Sequence, residues 1–351
     1  MRIVLADPSS FTPEYDHELA SALARAGLEV ELAASRFRFG EAPQPDGYRR
    51  NELFYPLSSR LFRRSRLRLP LKALEHPLGL ARLARLRADV LHLQWLAAPE
   101  LDARFLRSRS PLVFTAHDLL PRRTAEKLEL WRRLLARFER VVVHSDSGRD
   151  TLAGLGVHEE RLRVIPHPVF PSDPPRRDDG RTVLALGMIR PYKGLGDAIE
   201  AVKLADGARL LVAGEPLEPI EPYVQAAGAR AEWRLGYLSA GEVDEALGEA
   251  TVAVFPYRPE IDQSGALLRS LGAGVPAIAY DVAGLAEPVR RFGAGRVVPA
   301  GDVEALAAAV RELTGDESAL AAAREGAARA RAELTWDAAA AVHLDLYREL
   351  A

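Results

Sequence analysis

Apolar residues along this chain fall into two alternating patterns. Short continuous runs rich in Val, Leu and Ile occupy 2–6, 28–33, 89–93, 112–116, 140–144 and 163–166. Between most of them lie longer stretches with apolar residues three and four apart, such as 15–26 and 124–138. The short runs suit strands buried on both faces, and the helical period suits the helices that cover them. Their alternation predicts a parallel sheet made of βαβ units. The pattern breaks at Pro171-Ser172-Asp173-Pro174-Pro175-Arg176-Arg177-Asp178-Asp179-Gly180, where proline, charge and glycine together read as a linker. A second series follows, with strand runs at 182–187, 209–213, 252–255, 276–280 and 296–298. A further break near Leu334 precedes an Ala-rich amphipathic helix over 335–350.

The expected fold class is therefore α/β, with two Rossmann-like domains. The domain boundaries expected are 1–172 and 173–334, with 335–351 as a C-terminal helix. A length of 351 residues suits two domains, and 48% hydrophobic residues can fill two cores. The net charge of −2 lacks the basic footprint of a nucleic-acid binder. The chain has no cysteine, which removes disulfides and thiolate chemistry and fits a reducing compartment. The opening run is too short for a signal peptide, and no apolar run approaches the ~18–20 residues that span a bilayer. A cytoplasmic location is the expectation. Nothing in the sequence sets the oligomeric state.

In open α/β sheets, ligands bind beyond the carboxyl ends of the strands, so the chemistry is sought there. The segment Leu184-Ala185-Leu186-Gly187-Met188-Ile189-Arg190-Pro191-Tyr192-Lys193-Gly194 is a strand, a glycine turn and two cations three apart, before a helix. Gly187 allows close backbone approach, Arg190 grips phosphate with a planar fork, Lys193 adds a point charge, and the helix adds its dipole. Together they make a diphosphate site; the plain alternative is a pair of solvated loop charges. A second strand end runs through Tyr257, Glu260, Ile261, Asp262, Gln263, Ser264, Gly265 and Ala266 to Gly272-Ala273-Gly274-Val275-Pro276. A helix opening at Ser264-Gly265 offers free amides to a phosphate. A third, Phe114-Thr115-Ala116-His117-Asp118, places a histidine at a strand end. His117 has no second histidine at metal-ligand spacing, so no metal site is expected.

The Gly-x-x-Arg-x-x-Lys-Gly pattern at 187–194 resembles the donor-binding motif of retaining family 4 glycosyltransferases of the GT-B fold, in which two Rossmann-like domains face each other across a cleft. The resemblance covers nearly the whole chain. It implies an N-terminal acceptor domain, a C-terminal donor domain and a last helix crossing back to the first. It implies a hexosyltransferase that takes a sugar from a nucleoside diphosphate sugar to a saccharide or lipid-linked acceptor, with no cofactor or metal. Arg190 and Lys193 would stabilise the leaving diphosphate. His117 would contact the sugar. Glu215, in Ala213-Gly214-Glu215, and Tyr237, in Gly236-Tyr237-Leu238-Ser239, would lie on the nucleotide side. The family's Glu-x7-Glu pair falls here on Ile261 and Arg269. The loop is closer to a subset reading Ile-Asp-Gln-Ser-Gly, in which Asp262, Gln263 and Ser264 orient the sugar and the amides of Ser264, Gly265 and Ala266 take the β-phosphate. The loss of both glutamates keeps a non-catalytic GT-B partner or scaffold in view, and a sugar-nucleotide epimerase is the other alternative. The loop after the first strand, Asp7-Pro8-Ser9-Ser10-Phe11-Thr12-Pro13, lacks glycine, which argues against an NAD-binding Rossmann domain.

Between 60 and 87 the cations Arg60, Arg63, Arg64, Arg66, Arg68, Lys72, Arg82, Arg85 and Arg87 interleave with leucines and Phe62. Two readings stand. One is contact with a membrane surface, giving a peripheral location at the inner face of the plasma membrane. The other is a solvated helix packed on the sheet by its leucines.

Overall fold

The computed structural model describes every residue except 62–66, 122 and 260–261. Phe62, Arg63, Arg64 and Arg66 of the basic stretch, and Glu260 and Ile261 of the polar loop, lie outside the described residues. The chain forms two compact units, Met1–Pro166 with Trp336–Ala351, and His167–Thr335.

The first unit carries seven parallel strands: β1 (Arg2–Asp7), β2 (Glu29–Ser35), β3 (Arg49–Phe54), β4 (Val90–Leu93), β5 (Leu112–Thr115), β6 (Arg140–Val143) and β7 (Leu162–Val164). Their order is β3-β2-β1-β4-β5-β6-β7. Ile3 pairs with Val30 on one side and Val90 on the other, so the direction of winding reverses at β1. Helices α1 (Pro13–Arg25), α2 (Arg68–Leu83), α3 (Pro99–Phe105), α4 (Leu128–Leu135) and α5 (Asp146–Gly154) cover the sheet. Leu80, Leu83, Trp131 and Phe138 are buried in the core beside β4, β5 and β6.

The second unit carries β8 (Thr182–Leu186), β9 (Arg209–Gly214), β10 (Ala231–Leu235), β11 (Val252–Phe255), β12 (Ala277–Tyr280) and β13 (Gly295–Val298), in the order β10-β9-β8-β11-β12-β13. Its helices are α6 (Leu195–Leu204), α7 (Glu221–Ala227), α8 (Ala240–Glu249), α9 (Gly265–Gly272), α10 (Glu287–Phe292), α11 (Val303–Gly315) and α12 (Glu317–Glu333). The winding reverses between β8 and β11. Both units are thus doubly wound parallel sheets with a switch point, as the alternating pattern predicts. Two strands escape that pattern, β3 and β10. Both are sheet edges, buried on less of their surface, and their sequences lack the continuous apolar run of a central strand.

The last helix, α13 (Trp336–Arg348), belongs to the first unit and packs on α1. Its anchor is polar and buried. The His92 ring bridges the Tyr347 hydroxyl, 2.6 Å from Nδ1, and the Thr115 hydroxyl, 2.7 Å from Nε2. Burial, with His343 and His144 nearby, pushes the His92 pKa well below the usual histidine range, so the bridge is neutral. Trp336 adds an edge contact to Tyr15, ring centres 5.0 Å apart. Among the described residues no helix is long and apolar enough to cross a membrane.

Tyr347→Phe leaves the buried His92 nitrogen without its partner. The expected loss is about 1–3 kcal/mol of stability, read as a lower denaturant midpoint for the first unit by its tryptophan fluorescence.

Candidate functional site

The switch point of the second unit collects most of the expected residues. Gly187 follows β8 with φ 102°, a backbone state that favours glycine. A Cβ there would lie 3.0 Å from the Lys193 ammonium and 3.6 Å from the Ala266 methyl at the start of α9. The turn is pinned on both flanks. Ile189 N–H donates to the Glu215 carbonyl at 2.8 Å, and Arg258 N–H donates to the Tyr192 carbonyl at 2.7 Å. Lys193 Nζ sits 4.9 Å from the Tyr257 ring centre, a cation–π contact. Neither Arg190 nor Lys193 forms an ion pair among the described residues. Gly187, Met188, Lys193, Pro256 and Tyr257 line a pocket here.

Ser264 caps α9, accepting from Leu267 N–H at 3.3 Å, and its hydroxyl lies 3.2 Å from that of buried Tyr257. The amides of Gly265 and Ala266 head the helix without intrahelical acceptors. Asp262 and Gln263 turn toward the chain that follows β12. Asp262 Oδ1 accepts from Gly284 N–H at 3.0 Å, and Gln263 Nε2 donates to the Gly284 carbonyl at 3.3 Å. Two adjacent side chains thus clasp both backbone groups of Gly284 and hold the loop against it. Arg269 stacks its guanidinium 4.6 Å above the Phe170 ring, and burial lowers its pKa.

Glu215 and Tyr237 meet at the ends of β9 and β10. Gly236 N–H donates to the Gly214 carbonyl at 3.2 Å, which sets the two loops side by side. Partial burial and the Glu215 charge raise the Tyr237 pKa. Tyr237 keeps 56% of its surface exposed, a ring shelf beside a carboxylate.

His117 lies in the first unit at the end of β5, within an aromatic group. Its ring stacks on Trp95 (5.2 Å, 17°) and meets Tyr15 edge-on at 4.6 Å. His144 Nδ1–H donates to the Ile165 carbonyl at 2.9 Å, so its Nε2 accepts from His117 Nδ1 at 3.4 Å. His117 Nε2 then faces the Gln94 side-chain amide at 3.1 Å. The amide oxygen accepts from a protonated ring. Turned over, the buried Gln94 NH2 donates to a neutral one.

The loop after β1 is organised by Asp7. Its carboxylate accepts from the amides of Ser9 (3.1 Å), Phe11 (2.5 Å) and Thr12 (3.1 Å). The N–H groups that a glycine-rich loop would offer to a phosphate are therefore already taken. Asp16 is buried beside Asp7 and hydrogen-bonded to it. Burial first, then the Asp7 charge, push the Asp16 pKa well above the carboxylate range. Asp16 holds a proton, and Asp7 accepts it.

Two family models match the chain. Glycosyltransferase Family 4 matches residues 15–173, and Glycosyl transferases group 1 matches residues 180–316. The chain carries both domains of a family 4, group 1 glycosyltransferase. Three solved structures show the same GT-B fold. Sucrose-phosphate synthase from Thermosynechococcus elongatus is 22% identical with a TM-score of 0.75, covering 100% of this chain and 99% of that one. Anabaena HepE in complex with UDP and glucose is 16% identical with a TM-score of 0.72, covering 100% of both chains. WaaG, a glycosyltransferase involved in lipopolysaccharide biosynthesis, is 15% identical with a TM-score of 0.65, covering 98% of this chain and 99% of that one. No curated protein sequence matches significantly.

In this glycosyltransferase several groups around the sites go unmarked by motif. Tyr257 positions Lys193 and Ser264, Gly284 receives the Asp262–Gln263 clasp, and Gln94 and Trp95 frame His117. Gln94-Trp95 directly after an apolar run was a usable signal. Gly284 was not, because only the fold brings it near.

The Asp16 pKa is raised, so the folded state binds that proton more tightly than the unfolded one. The stability it contributes is complete below the ordinary value of 3.8 and is lost as pH rises through the folded pKa. Asp16→Asn carries no such proton and still donates to Asp7. The melting temperature of Asp16→Asn minus that of wild type is expected to increase as pH rises above about 4, a scan that differential calorimetry reads directly.

Proposed function

We propose that this chain transfers a hexose from a nucleoside diphosphate sugar to a saccharide or lipid-linked saccharide, with retention of the anomeric configuration and without a metal. The observation that carries the reading is the turn after β8, where Lys193 lies beside Gly187 near the head of α9 and, among the described residues, neither Arg190 nor Lys193 has a carboxylate partner. Two cations placed so suit a bound polyanion. Arg190 and Lys193 would take up the charge that builds on the departing diphosphate. Ser264 and the amides of Gly265 and Ala266 would hold its β-phosphate. Gly187 would let the diphosphate approach the backbone, and Glu215 and Tyr237 would flank the nucleoside. Asp262 and Gln263 would shape the loop around the sugar, in the manner of the Ile-Asp-Gln-Ser-Gly subset. His117 would hydrogen-bond the sugar or acceptor.

In the proposed step the acceptor hydroxyl oxygen bonds to the anomeric carbon on the face from which the diphosphate leaves. The hydroxyl proton passes to the departing phosphate oxygen. HepE was solved with UDP and glucose and WaaG acts in lipopolysaccharide biosynthesis, which supports UDP as the first nucleotide to try and a surface glycan as the acceptor class.

We further propose a peripheral site of action at the inner face of the plasma membrane, with α2 as the contact. Its support is the exposure of Leu67, Leu69, Leu74 and Leu78, at 59–71% each, among cations that include Arg82 and Arg85. Leu80 and Leu83 pack inward, so the helix also covers the sheet.

Thermal shift with UDP, GDP, ADP and their sugar conjugates, with and without EDTA, tests the donor site. A nucleotide at ~100 times its dissociation constant stabilises by about 2.7 kcal/mol. Stabilisation by one nucleotide, lost in Arg190→Ala/Lys193→Ala and unaffected by EDTA, is the expected result. No shift with any of them would favour a non-catalytic role. Proton NMR of the product anomer then decides retention. Sedimentation with phosphatidylglycerol vesicles tests the membrane contact. Wild type is expected to pellet and Leu74→Glu/Leu78→Glu to stay in solution.

A further inference from the structure

The hydroxyls of Tyr257 and Ser264 face each other 3.2 Å apart, and the direction of their hydrogen bond has a chemical consequence. Tyr257 is 3% exposed and Ser264 7%. Ser264 Oγ also accepts from Leu267 N–H at 3.3 Å, as the cap of α9. Among the described residues neither hydroxyl has a further partner. Two O–H protons thus share a single contact, and one of them is left without an acceptor. A phenol is a better donor and a poorer acceptor than an alkyl hydroxyl. The Lys193 ammonium, 4.9 Å from the Tyr257 ring centre, draws charge from that ring and strengthens the phenol as a donor. Tyr257 therefore donates to Ser264. Ser264 Oγ then accepts twice, from Leu267 and from Tyr257, which fills its lone pairs. What it has left is its own proton, in a buried place where an unused donor is costly.

The Tyr257 ring is held in place. Tyr192 and Phe255 stand across it, with ring centres 5.9 and 5.8 Å away and planes at 89° and 75°. The ring face carries the Lys193 ammonium and the hydroxyl carries Ser264, so one fixed side chain sets the place of both. Gly187 keeps space open at the ammonium, since a Cβ there would lie 3.0 Å from Lys193 Nζ. Lys193 and Tyr257 line the same pocket. Among the described residues the ammonium has no hydrogen-bond acceptor. An ammonium and a hydroxyl proton, both waiting for an acceptor on one side chain's two ends, suit the oxygens of an anion.

We propose that Tyr257 is the positioning residue for the donor's β-phosphate: its ring holds the Lys193 ammonium, its hydroxyl commits the Ser264 proton to the ligand, and the two donors meet that phosphate as a unit. This deepens the transferase reading and rests on it, because it concerns the diphosphate which that reading places here. Tyr257 acts through Lys193 and Ser264, so its effect belongs to the β-phosphate and to no other part of the donor. The run of hydrogen bonds from Tyr257 through Ser264 to phosphate strengthens as charge gathers on the departing group, since each donor polarises the next.

Calorimetric titration with the diphosphates and monophosphates of uridine, guanosine and adenosine tests this. For the base that binds wild type, Tyr257→Phe is expected to weaken the diphosphate about three- to tenfold and to leave the monophosphate unchanged. In a Ser264→Ala background, Tyr257→Phe is expected to weaken the diphosphate no further, because the hydroxyl acts through Ser264. Tyr257→Leu also removes the ring face and is expected to cost more than Tyr257→Phe, an excess that disappears in a Lys193→Met background. Equal weakening of diphosphate and monophosphate by Tyr257→Phe marks general damage to the fold and overturns the proposal. So does a diphosphate affinity that Tyr257→Phe leaves unchanged, or an additive effect in the Ser264→Ala background. In each of those cases wild type still binds its nucleotide, and the donor reading stands. Binding of no nucleotide by wild type overturns the donor reading and this proposal together.

Discussion

Three glycines hold the loops at the carboxyl end of the second unit's sheet together, and the constraint is steric. A Cβ on Gly214 would run into the Gly187 carbonyl, and one on Gly194 into the Pro256 carbonyl. Gly187 itself needs a positive φ with Lys193 across it. The turn after β8 therefore lies flush between the loops after β9 and β11. That closeness lets Ile189 pair with Glu215 and Arg258 with Tyr192. Lys193 is then carried to the Tyr257 face and the head of α9. Larger residues at 194 or 214 would push these loops apart and move the cations from their place.

The first unit solves the same problem with charge. Where a glycine-rich loop would leave amides open to a ligand, Asp7 closes them on itself, and Asp16 keeps the buried pair at a single negative charge. The loop is stiff without glycine. Its side chains are then free to serve, Ser9 toward Lys72 and Thr12 toward the Trp95 ring nitrogen, which donates to it at 2.8 Å. One switch point is shaped by close backbone contact and the other by a shared proton. Both leave polar groups at the carboxyl ends of their strands, where a parallel sheet has always to end in loops.

α2 divides its leucines between two faces. Its inner face packs Leu80 and Leu83 on the sheet and buries Glu75 and His76 as working polar groups. Its outer face keeps Leu69, Leu74 and Leu78 in solvent. The inner face alone anchors the helix, because a 100°-wide stripe is enough.

The sequence by itself determined the doubly wound α/β architecture, through apolar runs that central strands need because both faces are covered. It also located the Gly187–Lys193 turn, the Ser264 cap and the strand-end His117, since each is a local pattern in which neighbours along the chain make the chemistry. The edge strands β3 and β10 were not legible, because an edge buries too little to demand apolar residues. Nor were the contacts that join distant segments. Nothing in the sequence says that Asp262 and Gln263 turn to Gly284, that His92 meets Tyr347 across 255 positions, that Lys72 meets Ser9, or that His76 bridges Tyr55 and Asp102. A hydrogen bond needs its partners within about 3 Å and aligned. Residue type and local period restrict which groups are able to pair, but only the packing of strands and helices brings one pair to that distance and leaves the others apart.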